Sequence, residues 1–275
     1  MLVREALAWA RTQGVARLDA QLLLAHQLPC DRAWLIAHDD HAIDDTAQMA
    51  FQRGVALRVD EVPLAYLLGR REFHGLDLQI DAHVLVPRPE TEGLVDWALE
   101  LLDANSSAWL APRVADLGTG SGAIALAIKQ ACPHAVVLAT DCSDAALGVA
   151  QANATRLGLT LDLRSSHWWG ALDGERFELV VANPPYIAGN DAHLHALRHE
   201  PRLALTPEGA GLAALHDIID GAPAHLQRDG WLLLEHGHDQ ADAVAQRLAQ
   251  CGFVDISLRP DLAGLARCSA ARWPR

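Results

Sequence analysis

An amide side chain, two prolines and a phenol stand in a row at Asn183, Pro184, Pro185 and Tyr186. They follow Phe177-Glu-Leu-Val-Val-Ala182, an apolar run that predicts a buried strand of a parallel sheet. Neither proline can join a helix or a ladder, so the strand must end at Asn183. In open α/β sheets this carboxyl edge is where ligands bind. The prolines also strip two N–H donors from the site. What remains accepts hydrogen bonds: the Asn183 side-chain oxygen and the carbonyls of Asn183 and Pro184, beside the flat ring of Tyr186. Such a set suits a planar group carrying an –NH2. Asn183, Pro184 and Tyr186 are therefore the expected catalytic residues, and together with Pro185 the expected substrate-binding set.

A second constellation lies upstream. Asp116-Leu-Gly-Thr-Gly-Ser-Gly122 sits between a predicted strand and its helix, and Asp141 ends the next strand. Glycines permit a tight turn and let backbone N–H groups approach a ligand closely. A carboxylate at Asp141 can accept both hydroxyls of a ribose. That pattern fits any adenosine-bearing cofactor, with Gly118, Thr119, Gly120, Ser121, Gly122 and Asp141 as its expected contacts. A dehydrogenase has no use for an Asn-Pro-Pro-Tyr lip beside such a loop. A methyltransferase does, because its acceptor nitrogen must be held in line with the methyl of S-adenosylmethionine, and the gain is mostly positional. Asn183 then borders both donor and acceptor. A carboxamide or exocyclic amino nitrogen is a poor nucleophile because its lone pair is delocalised. Hydrogen bonds from its N–H groups to Asn183 and the Pro184 carbonyl would place it and push electron density towards it. The sequence names no general base.

The elements that must position these residues divide the chain. Residues 1 to about 70 read as all-helical, with apolar faces at Leu2, Ala6, Leu7 and Trp9, then Leu18, Leu22, Leu23, Leu24 and Leu28. Further faces follow at Trp34, Leu35 and Ile36 and at Met49, Phe51, Val55, Leu57 and Val59. A β-hairpin is expected next, from the Phe73-His-Gly75 turn signal, the alternating Leu76-Asp-Leu78-Gln-Ile80 and the apolar Val84-Leu-Val86. From Arg113 strands and helices alternate. The expected fold class is α/β: a doubly wound, seven-stranded, mostly parallel sheet with a small all-helical N-terminal domain and a linking β-hairpin. The expected boundaries are 1–72, 73–88 and 89–275.

Composition narrows the function classes. The chain has 275 residues, 51% hydrophobic, and no apolar run of membrane-spanning length. Its five cysteines are scattered and never spaced as C-x-x-C, so reduced thiols in a cytoplasmic protein are expected, with no structural metal. The formal net charge of −13 opposes non-specific binding to phosphate backbones. No direct nucleic-acid or membrane contact is expected, and a monomer is.

Val84-Leu-Val-Pro-Arg-Pro-Glu-Thr-Glu92, the Asp116–Leu126 glycine stretch and Asn183-Pro-Pro-Tyr-Ile187 together resemble the release factor glutamine methyltransferases, the HemK/PrmC family. Likeness extends to Glu200-Pro201, Ala204-Leu205, Asp261-Leu-Ala-Gly264 and Arg267. The resemblance implies a class I methyltransferase that uses S-adenosylmethionine to methylate the glutamine amide in the Gly-Gly-Gln loop of peptide chain release factors. It also implies that Trp168 lies near the adenine, although Trp169 follows it and either indole could do so. The helical segment fits by length and class, and is expected to grip the release factor away from the glutamine loop.

Two other function classes share these motifs. Methylation of an adenine or guanine amino group in DNA or RNA uses the same hydrogen-bond logic, but needs base flipping and a basic track. A non-catalytic adenosine-binding scaffold would not need Asn183 and Tyr186 intact. Among the remaining residues, Glu90 and Glu92 can face the donor or cap a helix, and Arg88 is expected to be structural. His193, His195 and His199 suit a solvated loop better than a metal site. His236 and His238 are expected in structural roles, and Trp9, Trp34 and Trp97 in the core.

Overall fold

The structure, a computed structural model, describes residues 1–274. The chain folds into two compact units, Met1–Arg70 and the remainder from Arg71.

The first unit is a helical cluster: α1 (Val3–Thr12), α2 (Arg17–Gln27), α3 (Arg32–Ala37), α4 (Asp45–Val59) and α5 (Leu64–Leu68). Its helix starts are written in the sequence. Asp31 accepts from the Trp34 N–H at 2.7 Å and Asp44 from the Ala47 N–H at 2.9 Å, each satisfying one orphan donor of a first turn. Leu23, Leu24, Leu35, Phe51 and Val55 form the centre of its core. Trp9 and Trp34 only border that core, and Trp34 stacks on His38. The expected apolar faces are wider than the buried ones. Leu18, Ile36, Met49, Leu57 and Val59 lie 38–64% exposed.

Next in the chain is a hairpin of β1 (Arg70–Phe73) and β2 (Leu76–Gln79), which belongs to the second unit from Arg71 onward. His74 and Gly75 both take positive φ (49° and 78°), which matches the twist a two-residue hairpin turn requires. Val84–Val86, expected to belong to the hairpin, is not a strand, and Val84 and Val86 are buried. The turn has already closed the hairpin, and the Val86 N–H is taken instead by Glu200 Oε2 at 3.0 Å. A 3-10 turn at Pro89–Thr91 then leads into α6 (Glu92–Ala104).

The rest is a doubly wound sheet. In chain order it comprises β3 (Arg113–Leu117), α7 (Ala123–Ala131), β4 (Val136–Asp141), α8 (Asp144–Leu157), β5 (Asp162–Ser165) and β6 (Phe177–Ala182). After these come α9 (Ala213–His225), β7 (Leu226–Glu235), α10 (Ala241–Gln250), β8 (Val254–Pro260) and β9 (Ala266–Arg272). The seven strands run in the order β5-β4-β3-β6-β7-β9-β8. All pairings are parallel except β7 with β9 and β8 with β9. Leu179 to Ala182 are fully buried, as a central strand covered on both faces demands.

Chain order reverses between β3 and β6, and that switch point is where a crevice opens at the carboxyl edge. Leu117 pairs with both Thr140 and Ala182, and Ala182 pairs with Leu234. The residues that follow, Gly118, Asp141, Asn183 and Glu235, therefore leave or end adjacent strands at one level.

Candidate active site

A cavity of about 620 Å³ occupies this edge, within the second unit. The glycine loop, Gly118 to Ser121, lines it together with Asp141, Asn183, Pro185, Trp168 and Thr91.

The glycine loop is held by the sheet. Gly118 and Thr119 both donate to the Thr140 carbonyl at 2.8 Å, and Gly122 donates to the Thr119 carbonyl at 2.9 Å. Gly120 donates to Asp141 Oδ2 at 2.9 Å, while Ser143 donates to Asp141 Oδ1 at 2.9 Å. Four loop N–H groups are thus spent inside the protein. The loop offers close approach but few donors, which differs from the expected N–H cradle. A pyrophosphate would need those donors; an adenosine group with no phosphate does not. Asp141 has each oxygen fixed by one N–H and keeps acceptor capacity for a ribose diol. The residues therefore fit S-adenosylmethionine better than a dinucleotide.

Gly118 has φ +76° and a Cβ there would come within 3.2 Å of the Trp168 ring. The two indoles take different neighbours. Trp168 packs on the loop and lines the cavity. Trp169 stacks on His225 at 4.6 Å and donates to the Asp217 carbonyl at 3.3 Å. Trp168 itself takes φ +46°, a left-handed conformation unusual for a bulky residue. The Ser166 hydroxyl holds the bend, donating to the Trp168 carbonyl at 3.1 Å and accepting from the Ala171 N–H at 2.9 Å.

Beneath the loop lies Asp116, fully buried. Its Oδ2 accepts from the Thr119 hydroxyl at 2.6 Å and the Ala125 N–H at 3.2 Å, whereas Oδ1 has no partner among the described residues. Burial pushes its carboxyl up to about 7, against those two hydrogen bonds.

Asn183 also lines the cavity, and its amide nitrogen donates at 3.1 Å to the hydroxyl of Thr91, another lining residue. Pro184 is buried. Tyr186 is not among the residues lining the cavity. Its ring packs on the sheet core, and its hydroxyl donates to Glu235 Oε1 at 3.1 Å. The Tyr186 backbone is fixed as well, its carbonyl accepting from Gln240 at 2.9 Å. Burial pushes the Tyr186 phenol up, and the Glu235 charge adds to this. Glu235 is 1% exposed. Burial pushes its carboxyl up too, and Glu90 adds a little; the Thr91 and Tyr186 hydroxyls and the Arg267 guanidinium oppose the rise.

Sequence reasoning passed over Thr91 and Glu235. Thr91 sits among charged residues in a turn, and Glu235 reads as the polar end of a strand. Only the register that sets Glu235 beside Asn183 gives it a partner. Arg88 lines the cavity and pairs with the buried Glu200 at 2.5 Å. Glu92 caps the hairpin turn, accepting from the His74 N–H at 3.1 Å. His236 is fully buried, bonded to the Gly237 carbonyl and the Ser269 hydroxyl, both at 2.8 Å. His193 pairs with Asp191 in the loop, and no cluster able to hold a metal ion occurs among the described residues.

The Asp116 environment has a measurable consequence. Between about pH 4 and 7 the folded chain keeps a proton on Asp116 that the unfolded chain has released, so its contribution to stability falls as pH rises through that window. Asp116→Asn should flatten this part of the stability–pH curve in chemical denaturation. An unchanged slope would contradict the assignment.

Known proteins place this arrangement. Residues 91–211 match the model of the methyltransferase small domain and residues 2–69 that of the PrmC N-terminal domain. The release factor glutamine methyltransferase of Xylella fastidiosa is 49% identical, with 98% of each chain covered. That of Bordetella pertussis is 48% identical, covering 93% of this chain and 94% of its own. Among solved structures, a ribosomal protein L11 methylase from Lactobacillus delbrueckii subsp. bulgaricus superposes with TM-score 0.51 at 26% identity, over 72% of this chain and 86% of its own. The hMettl16 catalytic domain shares the fold with TM-score 0.57 at 16% identity, over 84% of this chain and 81% of its own. With near-complete coverage at such identity and a sheet of the class I methyltransferase order, the chain belongs to the release factor glutamine methyltransferase family.

Proposed function

We propose that this protein transfers a methyl group from S-adenosylmethionine to the side-chain amide nitrogen of the glutamine in the Gly-Gly-Gln motif of peptide chain release factors. One observation carries the reading: Asn183 lines the same cavity as the glycine loop and Asp141, and with its amide nitrogen donating to Thr91 its oxygen is left to accept from a planar –NH2.

S-adenosylmethionine, when bound, supplies a methyl group on a sulfonium sulfur. Gly118 to Gly122 and Asp141 hold its adenosine, with Trp168 against the adenine. Asn183 and the Pro184 carbonyl orient the substrate amide and draw on its two N–H groups, which raises electron density on nitrogen. The cavity walls exclude water from the reacting atoms. The contribution of these residues is positional, because the departing thioether is neutral and little charge needs stabilising. Tyr186, with its hydroxyl tied to Glu235, supports the lip from behind.

The helical unit grips the release factor away from the glutamine loop. Its exposed Leu18 and Ile36, which share a shallow depression with Arg17, Gln21 and Arg32, are the best-placed contacts. The protein works as a monomer in the cytoplasm without direct nucleic-acid contact. The charge of −13 supports this, as does the lack, among the described residues, of any helix long and apolar enough to cross a membrane. Amino-group methylation of nucleic acid is the alternative that the same lip would permit.

Three measurements test this. Asn183→Ala should lower kcat on release factor by about a hundredfold or more while calorimetric affinity for S-adenosylhomocysteine stays near wild type. Equal loss of both would refute the assignment, and methyl transfer to RNA or DNA but not to release factor would favour the alternative. Trp168→Ala should weaken S-adenosylhomocysteine by about tenfold or more, the order expected for one stacked base. Unaltered affinity would remove Trp168 from the adenine site. Leu18→Ser with Ile36→Ser should raise KM for release factor and leave kcat intact; an unchanged KM would move the grip elsewhere.

A further inference from the structure

Arg88 stands between two prolines. Pro87 and Pro89 stiffen the backbone on either side, and Arg88 itself is extended, with φ −94° and ψ 141°. Thr91, at the end of the turn that Arg88 begins, accepts from the Asn183 amide, so this stretch runs into the acceptor lip. Arg88 lines the same cavity, and its side chain is 34% exposed. One of its Nη nitrogens donates to Glu200 Oε1 at 2.5 Å. The rest of the guanidinium has no partner among the described residues.

Glu200 holds it there. The Glu200 side chain is 2% exposed, and its other oxygen accepts from the Val86 N–H at 3.0 Å. One buried carboxylate thus ties together two stretches more than a hundred residues apart. Both line the cavity, Pro87 and Arg88 on one stretch and Pro201 to Ala204 on the other. The pairing has a chemical consequence. The Glu200 charge balances that of the guanidinium, so Arg88 offers the cavity a rigid fork of N–H donors with little net charge. That suits neutral oxygens better than an anion. Other donors lining the cavity are committed. The Thr119 hydroxyl is spent on Asp116 and the Ser166 hydroxyl on the Trp168 carbonyl. Arg202 makes a two-pronged pair with Glu208 at 2.8 and 3.0 Å.

A guest rich in glycine brings the complementary need. Glycine has no side chain, so its only polar groups are its backbone N–H and carbonyl. A lip made of acceptors can answer the N–H groups of the guest but not its carbonyls. A carbonyl left unpaired on leaving water weakens binding. We propose that Arg88 is a substrate-binding residue that donates to backbone carbonyls of the Gly-Gly-Gln loop, and that Glu200 is the positioning residue that aims it. This rests on the proposed glutamine-methylating function and adds to it how two glycines without side chains are read beside the glutamine. Lysine at position 88 keeps the charge beside Glu200 but loses the fork. Removing that charge altogether would strand a buried carboxylate, so Arg88→Ala is the poorer probe.

The test uses the full chain with Arg88→Lys, Glu200→Gln and the double variant. In steady-state kinetics on release factor, R88K should raise KM by about tenfold or more, the scale of one lost charge-assisted hydrogen bond, with kcat changing far less. E200Q should raise KM in the same direction. The double variant should be no worse than the worse single one, because Glu200 acts through Arg88. Calorimetry then compares S-adenosylhomocysteine with methylthioadenosine, which keeps the adenosine and the sulfur but lacks the methionine carboxylate. R88K should bind both as wild type does. Loss of S-adenosylhomocysteine alone would place Arg88 on the donor carboxylate, and equal loss of both would make it a mere support of the pocket; either overturns the inference. Additive effects of R88K and E200Q would remove Glu200 from it. If E200Q fails to fold, R88K decides alone. Wild type that transfers no methyl to release factor would overturn the proposed function itself, whereas normal wild-type turnover with an unchanged KM in R88K would overturn this inference alone.

Discussion

The constraint on which the site depends is the parallel register of β3 with its two neighbours. Leu117 stands level with Thr140 on one side and Ala182 on the other. One residue further on, three strands deliver a glycine turn, a carboxylate and an amide to the same edge. A slip by one residue would turn every side chain of β6 over and take Asn183 off the level of Gly118 and Asp141. The register is secured by burial, since Leu179 to Ala182 are covered on both faces. The hydrophobic core thus sets the spacing between donor and acceptor, and the polar residues inherit it.

Around that frame the protein divides its hydrogen bonds unequally. The glycine loop uses its N–H groups on Thr140 and Asp141, so the donor side is defined by shape and by one carboxylate. The acceptor side is held by side chains, Asn183 donating to Thr91 and Tyr186 to Glu235. Two buried acids, Asp116 and Glu235, sit behind the two walls, and desolvation raises the pKa of both. Such groups are costly to bury, and both stand directly beneath residues that must be held in one conformation.

Most of the fold was legible in the sequence because its signals are local. The glycine turn, the Asn-Pro-Pro-Tyr stop and the apolar runs mark where strands end, and periodicity marks the helices between them. The misreadings have physical causes. Val84–Val86 is apolar because it is buried, not because it is a strand, and its Val86 N–H is satisfied by Glu200, more than a hundred residues away. Leu18, Ile36 and Met49 fall at helical spacing but remain exposed, because periodicity cannot show whether another element arrives to cover a face. Tyr186 was expected flat against the guest, but its hydroxyl is held by Glu235 behind the lip. Thr91 and Glu235 were invisible for one reason: their roles exist only through partners distant in sequence. Of the two adjacent indoles, the backbone decided, since the left-handed turn at Trp168 sends the rings to different neighbours.

The central claim is that the Asn183 oxygen, not its nitrogen, meets the substrate amide beside the donor pocket. A crystal structure of the protein with S-adenosylhomocysteine and a peptide carrying the Gly-Gly-Gln loop tests it most directly. The account predicts the glutamine amide nitrogen about 2.9 Å from Asn183 Oδ1 and within similar reach of the Pro184 carbonyl, facing the donor sulfur. A glutamine side chain bound elsewhere, or one accepting from the Asn183 nitrogen, would contradict it.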